Sequence, residues 1–113
     1  MIILIPVDQS GEVNDSFARA PRFLIYDSET QEKTLLENKA SLSSGGAGVK
    51  AAQHVIDLKV DIILTPRLGE NAALILSKAD IGIYKTVNKD IEKNINLFLA
   101  NKLSKLENFS SGH

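Results

Sequence analysis

The chain has 113 residues, 43% apolar and 24% charged, the balance of a soluble globular protein long enough for one hydrophobic core. A formal net charge of −1, with the basic residues scattered rather than clustered, argues against a nucleic-acid surface. Cysteine is absent, which removes disulfides, thiolate metal ligation and thiol catalysis and fits the expected location, a reducing cytoplasm.

Ile2 to Val7 is an apolar run broken only by Pro6, which predicts a strand buried on both faces of a sheet. It is too short, and lacks the basic residues, for a signal peptide, and nothing else approaches the ~18 apolar residues of a membrane span, so no membrane partner is expected. Asp8 to Asn14 has turn chemistry. Phe23 to Asp27 reads as a second strand, joined through Ser28 to Gln31 to a third over Lys33 to Glu37, as a hairpin. After the polar stretch Asn38 to Ser44, Val49, Ala52, Val55 and Ile56 recur at helical spacing up to about Leu58. Asp61 to Thr65 is a short β-rich run stopped by Pro66, Glu70 to Ala79 a second helix, and Ile81 to Tyr84 the last strand. Ile91, Ile95, Phe98, Leu99, Leu103 and Leu106 predict a C-terminal amphipathic helix running to Leu106. The order β-β-β-α-β-α-β-α implies a mixed α/β sheet with helices on its faces, one domain over residues 1–108 and a flexible tail over 109–113.

The segment Ser43 to Lys50 holds three of the seven glycines and opens onto a helix. Free backbone N–H groups and the positive end of a helix dipole there favour an anion. A Walker A loop fails, because Val49 separates Gly48 from Lys50 and Ala51 stands where the hydroxyl should be. Gly46-Ala47-Gly48-Val49-Lys50-Ala51 fits the dinucleotide pattern literally. It does not follow its strand directly, however, and no carboxylate lies about 20 residues on. The plain alternative is a tight turn in which Ser43 or Ser44 caps the helix.

Taken in order, several pieces resemble the dinitrogenase iron–molybdenum cofactor biosynthesis family, which includes NifX, the C-terminal domain of NifB and the core of NafY. They are the opening Ile-Ile-Leu-Ile-Pro-Val, Phe17-Ala18-Arg19-Ala20-Pro21-Arg22-Phe23 running into Leu-Ile-Tyr-Asp, and Gly45-Gly46-Ala47-Gly48. Val60 to Thr65, Leu68-Gly69-Glu70-Asn71-Ala72 and Ile81 to Tyr84 complete the set. The resemblance implies a ribonuclease H-like fold with a five-stranded mixed sheet, order 3-2-1-4-5, strand 2 antiparallel. It also implies a non-catalytic carrier whose cargo is an iron–sulfur or iron–molybdenum cluster, held transiently. The alternative is an interaction or regulatory module acting with an Mrp-type ATPase or another cluster-assembly protein, without binding a cluster itself. The sequence departs from the family at Ser16-Phe17-Ala18, where relatives often read His-Phe-Gly.

Ligands of open α/β sheets collect beyond the carboxyl ends of the parallel strands. That edge gathers the turn from Asp8, together with Ser16, Arg19, Ser44, Gly45, Gly46, Ala47, Gly48, Arg67, Gly69 and Asn71, the expected binding residues. Two arginines and two helix N-termini there suit an anionic metal cluster or small anion. No catalytic set is visible. His54 stands alone within a helix, His113 is assigned no role, and Asp61 precedes its strand and so lies at the opposite edge from Asp8. The converging carboxylates of a ribonuclease H-type nuclease are therefore not in place.

Overall fold

The computed structural model describes residues 1–107 and Phe109. Strand β1 (Ile2–Val7) is central and almost wholly buried. It pairs antiparallel with β2 (Arg22–Asp27), which pairs antiparallel with β3 (Lys33–Glu37); on its other side β1 runs parallel to β4 (Ile62–Thr65), and β4 parallel to β5 (Gly82–Lys85). The sheet order is β3-β2-β1-β4-β5, with β2 antiparallel to its central neighbour, as the resemblance implies. Helices α1 (Ala47–Asp57), α2 (Glu70–Lys78) and α3 (Ile91–Leu99) cover the sheet, and a 3-10 turn (Lys39–Leu42) precedes α1.

Alternation along the strands builds two cores. Leu4, Phe23 and Ile63 turn toward α1 and α2, packing with Ala51, Val55, Ala72 and Leu76. Ile3, Ile5, Val7, Leu24, Tyr26, Ile62 and Leu64 turn the other way, against Ile95 of α3. Burial on both faces is why β1 and β4 carry continuous Ile/Leu runs, each such side chain contributing about 1.5–3 kcal/mol. Pro6 is tolerated in the central strand because of its phase. Its carbonyl accepts from Asn14 rather than from β2, so its nitrogen, turned the same way, removes no β2 ladder bond.

The predicted C-terminal helix is too long. It stops at Leu99, where Asn101 takes the left-handed conformation (φ 62°). The Lys102 N–H donates to the Leu97 carbonyl at 2.8 Å and the Asn101 N–H to the Phe98 carbonyl at 2.9 Å, a Schellman ending. Beyond it the chain is extended along β5: the Lys85 N–H bonds the Ser104 carbonyl and the Leu106 N–H the Ile83 carbonyl. Leu103 and Leu106 are buried as expected, but in opposite cores. Of the expected tail, Phe109 packs half-buried against the α1-side core. Residues 110–113, His113 included, lie outside the described residues, as does residue 108.

Candidate functional site

Beyond the carboxyl ends of β1 and β4 lies a cleft of about 540 Å³, within the range of small-molecule sites. Three segments wall it. The first, Ser16 to Arg19, is anchored by Phe17, which is 1% exposed and stacks on Phe23 of β2 with ring centroids 5.3 Å apart. Asn38, at the end of β3, holds the same segment from behind. Its Nδ2 donates to the Ala18 carbonyl at 3.0 Å and the Ala20 carbonyl at 2.8 Å.

The second wall is Ser44 to Val49. Gly46 is the N-cap of α1 and sits at φ 67°, ψ 23°, a left-handed turn that glycine adopts without steric cost. No side chain caps this helix. The expected serine cap is therefore corrected: with Gly46 in the cap position, Ser43 and Ser44 lie outside the helix end, and the Ser43 hydroxyl instead faces Lys50 Nζ at 3.3 Å. The first intrahelical bond runs from the Lys50 N–H to the Gly46 carbonyl, leaving the N–H groups of Ala47, Gly48 and Val49 ahead of the ladder.

The third wall, Arg67 to Asn71, enters α2 through Gly69, again an N-cap with no side-chain cap. Thr65, fully buried at the end of β4, fixes its start by donating its hydroxyl to the Arg67 carbonyl at 3.0 Å. Because α1 and α2 pack side by side, both uncapped N-termini open on one cleft. Each carries about half a unit of positive charge.

All the residues expected from the sequence at this edge, from Ser16 to Asn71, line this one cleft. Asp8 does not line it. Its carboxylate closes its own turn, accepting from the Ser10 hydroxyl at 2.7 Å, the Ser10 N–H at 2.9 Å and the Glu12 N–H at 3.0 Å. These donors, the Ser10 hydroxyl foremost and then the Glu12 amide, hold the Asp8 carboxyl below the usual carboxylate range. Asp61, at the far edge, accepts from the Ile2 N–H at 2.8 Å and pins the start of β1. Arg19 has a structural duty besides: its Nη1 donates to the Ser41 and Ser43 carbonyls at 3.1 and 2.9 Å, tying the first wall to the loop before the second. Among the described residues, neither Arg19 nor Arg67 is in an ion pair, and no Asp or Glu lines the cleft.

Sequence reasoning missed the positioning role of Asn38, which sits in a polar stretch with nothing to mark it as buried. It also missed the apolar floor of Phe17 and Leu68. The donor set is chemically one-sided. Among the described residues the cleft offers backbone N–H groups, guanidinium groups, hydroxyls and an amide, but no imidazole or carboxylate to bond a metal directly, and the chain has no cysteine. Among the described residues, no three His, Asp or Glu side chains gather to hold a metal ion anywhere. No helix described is long and apolar enough to cross a membrane.

Residues 1–101 match the family model described as dinitrogenase iron-molybdenum cofactor. An uncharacterized protein of Methanocaldococcus jannaschii is 30% identical over 110 residues, covering 95% of this chain and 92% of its own. A Thermotoga protein provisionally described as NifB has a similar solved structure, with TM-score 0.81, 29% identity and coverage of 99% of this chain and 98% of its own. The apo form of the orange protein from Desulfovibrio gigas shares the fold at TM-score 0.86 and 24% identity, covering 93% of this chain and 92% of its own.

Proposed function

The chain belongs to the dinitrogenase iron–molybdenum cofactor family, and from that premise we propose that it is a small non-catalytic carrier that holds an anionic metal–sulfide cluster in the cleft between α1 and α2. One observation carries this reading: two uncapped helix N-termini and two arginines meet at a cleft of about 540 Å³ that, among the described residues, no carboxylate lines. Such an arrangement attracts negative charge, and no described residue lining it carries a negative charge of its own. The cargo is held as a ready-made anion. N–H groups and guanidinium groups reach the sulfides or outer oxygens, while the cluster brings its own metal ligation, because this cleft supplies none. Weak outer contacts of this kind suit a protein that accepts a cluster and passes it on. The glycines at Gly45, Gly46 and Gly48 let a bulky anion approach the backbone without meeting side chains.

The test is an anaerobic heteronuclear NMR titration with tetrathiomolybdate, and separately with inorganic phosphate. Amide shifts centred on Ser44 to Gly48 and Arg67 to Asn71 are expected, larger for the thiomolybdate. Shifts absent from both segments would end the proposal.

A second reading, a protein-interaction module for an Mrp-type cluster-assembly ATPase, draws on Leu42. That side chain is 84% exposed, two residues before the cleft wall at Ser44. A Leu42→Ser variant that keeps the anion-induced shifts but loses ATPase binding would favour docking at this rim. Unchanged ATPase binding would count against it.

A further inference from the structure

The sheet has two edges, and they are treated differently. At β5 the edge is blunted by the extended chain after α3, through the Lys85–Ser104 and Leu106–Ile83 backbone bonds. At β3 no described residue covers the far side, and four of its five residues are exposed, Leu35 at 47%. An open edge of this kind is a template for another strand.

The backbone phase on β3 follows from two bonds that frame the hairpin. The Asn38 N–H donates to the Pro21 carbonyl, and the Asp27 N–H to the Glu32 carbonyl. Because antiparallel partners alternate, Thr34 and Leu36 turn their backbone groups toward β2. Lys33, Leu35 and Glu37 therefore turn theirs outward to the open edge.

We propose that this edge pairs with the same edge of a second copy of the chain, antiparallel about a two-fold axis at Leu35, joining two sheets into one. The strand reads Lys33-Thr34-Leu35-Leu36-Glu37, and its charges select the register. Centred on Leu35, every outward backbone group finds a partner, giving about six backbone hydrogen bonds. Lys33 then lies opposite Glu37 of the partner subunit, Glu37 opposite the partner's Lys33, and the two exposed leucines meet at the axis. Sliding the pairing by two residues either way loses backbone bonds and sets each leucine against a charge. The end charges that guard the edge against other strands are thus matched to its own copy. Lys33 already pairs with Glu92 of α3, so its ammonium would sit between two carboxylates. The pairing leaves the anion cleft untouched and does not rest on the carrier reading.

The test is sedimentation equilibrium of the full chain from micromolar to about 1 mM, with amide hydrogen exchange at both ends of that range. The expected result is a mass rising from 12.3 kDa toward twice that value, with the Lys33, Leu35 and Glu37 amides protected only at high concentration. Glu37→Lys sets like charges opposite each other and should weaken association at least about tenfold. The double variant Lys33→Glu/Glu37→Lys should restore part of it, because the same swap also sets a carboxylate against Glu92. A monomer throughout with these amides exchanging freely overturns the proposal. So does association that Glu37→Lys leaves unchanged, or a dimer whose protection lies elsewhere. The wild-type exchange data decide the matter even if a variant fails to fold.

Discussion

Replacing Asn38 with alanine tests whether the wall of the cleft is held from behind as described. The side chain is 1% exposed, and its Nδ2 serves two carbonyls, Ala18 at 3.0 Å and Ala20 at 2.8 Å. Its Oδ1 is buried with no partner among the described residues. Removing the amide strands two carbonyls at about 1–2 kcal/mol each, while losing the orphaned oxygen offsets about 1 kcal/mol. The net cost is about 2 kcal/mol, or roughly 8 °C in Tm for a chain of this size. Asn38→Asp should be worse at neutral pH, by about 3 kcal/mol or more, because an ionised oxygen then faces the same two carbonyls in a buried site. Burial raises that carboxyl's folded pKa above its unfolded value. The folded state therefore binds the proton more tightly, and the deficit shrinks as pH falls toward the unfolded pKa. Urea denaturation of both variants at two pH values measures this. If Asn38→Ala loses less than about 0.5 kcal/mol, or Asn38→Asp matches it at neutral pH, the amide is not the donor that holds this wall.

Asn94 is fully buried, donates to the Asp90 and Asn88 carbonyls at 2.7 and 2.9 Å and accepts from the Val87 N–H at 2.9 Å. Asn94→Leu should accordingly cost about 3 kcal/mol or more by urea titration. Lys59 ends α1 at φ 59°, so Lys59→Gly should stabilise the fold by about 0.5–1 kcal/mol in thermal unfolding, whereas Asn101→Gly should gain less because asparagine tolerates that region. The Asp8 carboxyl should titrate by NMR below the usual aspartate range. Its folded pKa is depressed, so its contribution to stability is present above the unfolded pKa and lost as pH falls through the folded one. Amide protection at Ser10 and Glu12 should vanish over that window, and an ordinary aspartate titration would refute the turn.

Much of the fold was legible because burial on both faces leaves an unmistakable signature. Ile2 to Val7, short, apolar and rich in isoleucine, reads as a strand buried on both faces, and the hairpin of β2 and β3 follows from its turn residues. The order of the sheet came from the resemblance rather than from periodicity. The C-terminal helix was overextended for a definite reason: residues three apart, such as Leu103 and Leu106, satisfy a helical template, yet in extended chain the same spacing sends them to opposite cores. Asparagine serves both as a left-handed stop and as a helical residue; at Asn101 tertiary pairing with β5 decides it. At the cleft, the glycines and arginines could be placed because the carboxyl edge of the sheet is predictable from strand order. The missing serine cap and the brace at Asn38 depend on backbone geometry across distant segments, which a local pattern does not encode.

Whether the proposed cargo is held in the cleft between α1 and α2 as an anion is tested most cleanly at Arg67. Arg67 is exposed and lines the cleft, and unlike Arg19 it makes no side-chain bond to the loops among the described residues. Anaerobic equilibrium dialysis of tetrathiomolybdate against wild type and Arg67→Gln, at low and high salt, is the direct measurement. Binding should weaken with salt and fall about tenfold in the variant, the loss of one charge-assisted contact. Equal affinity in the two proteins, insensitive to salt, would contradict it.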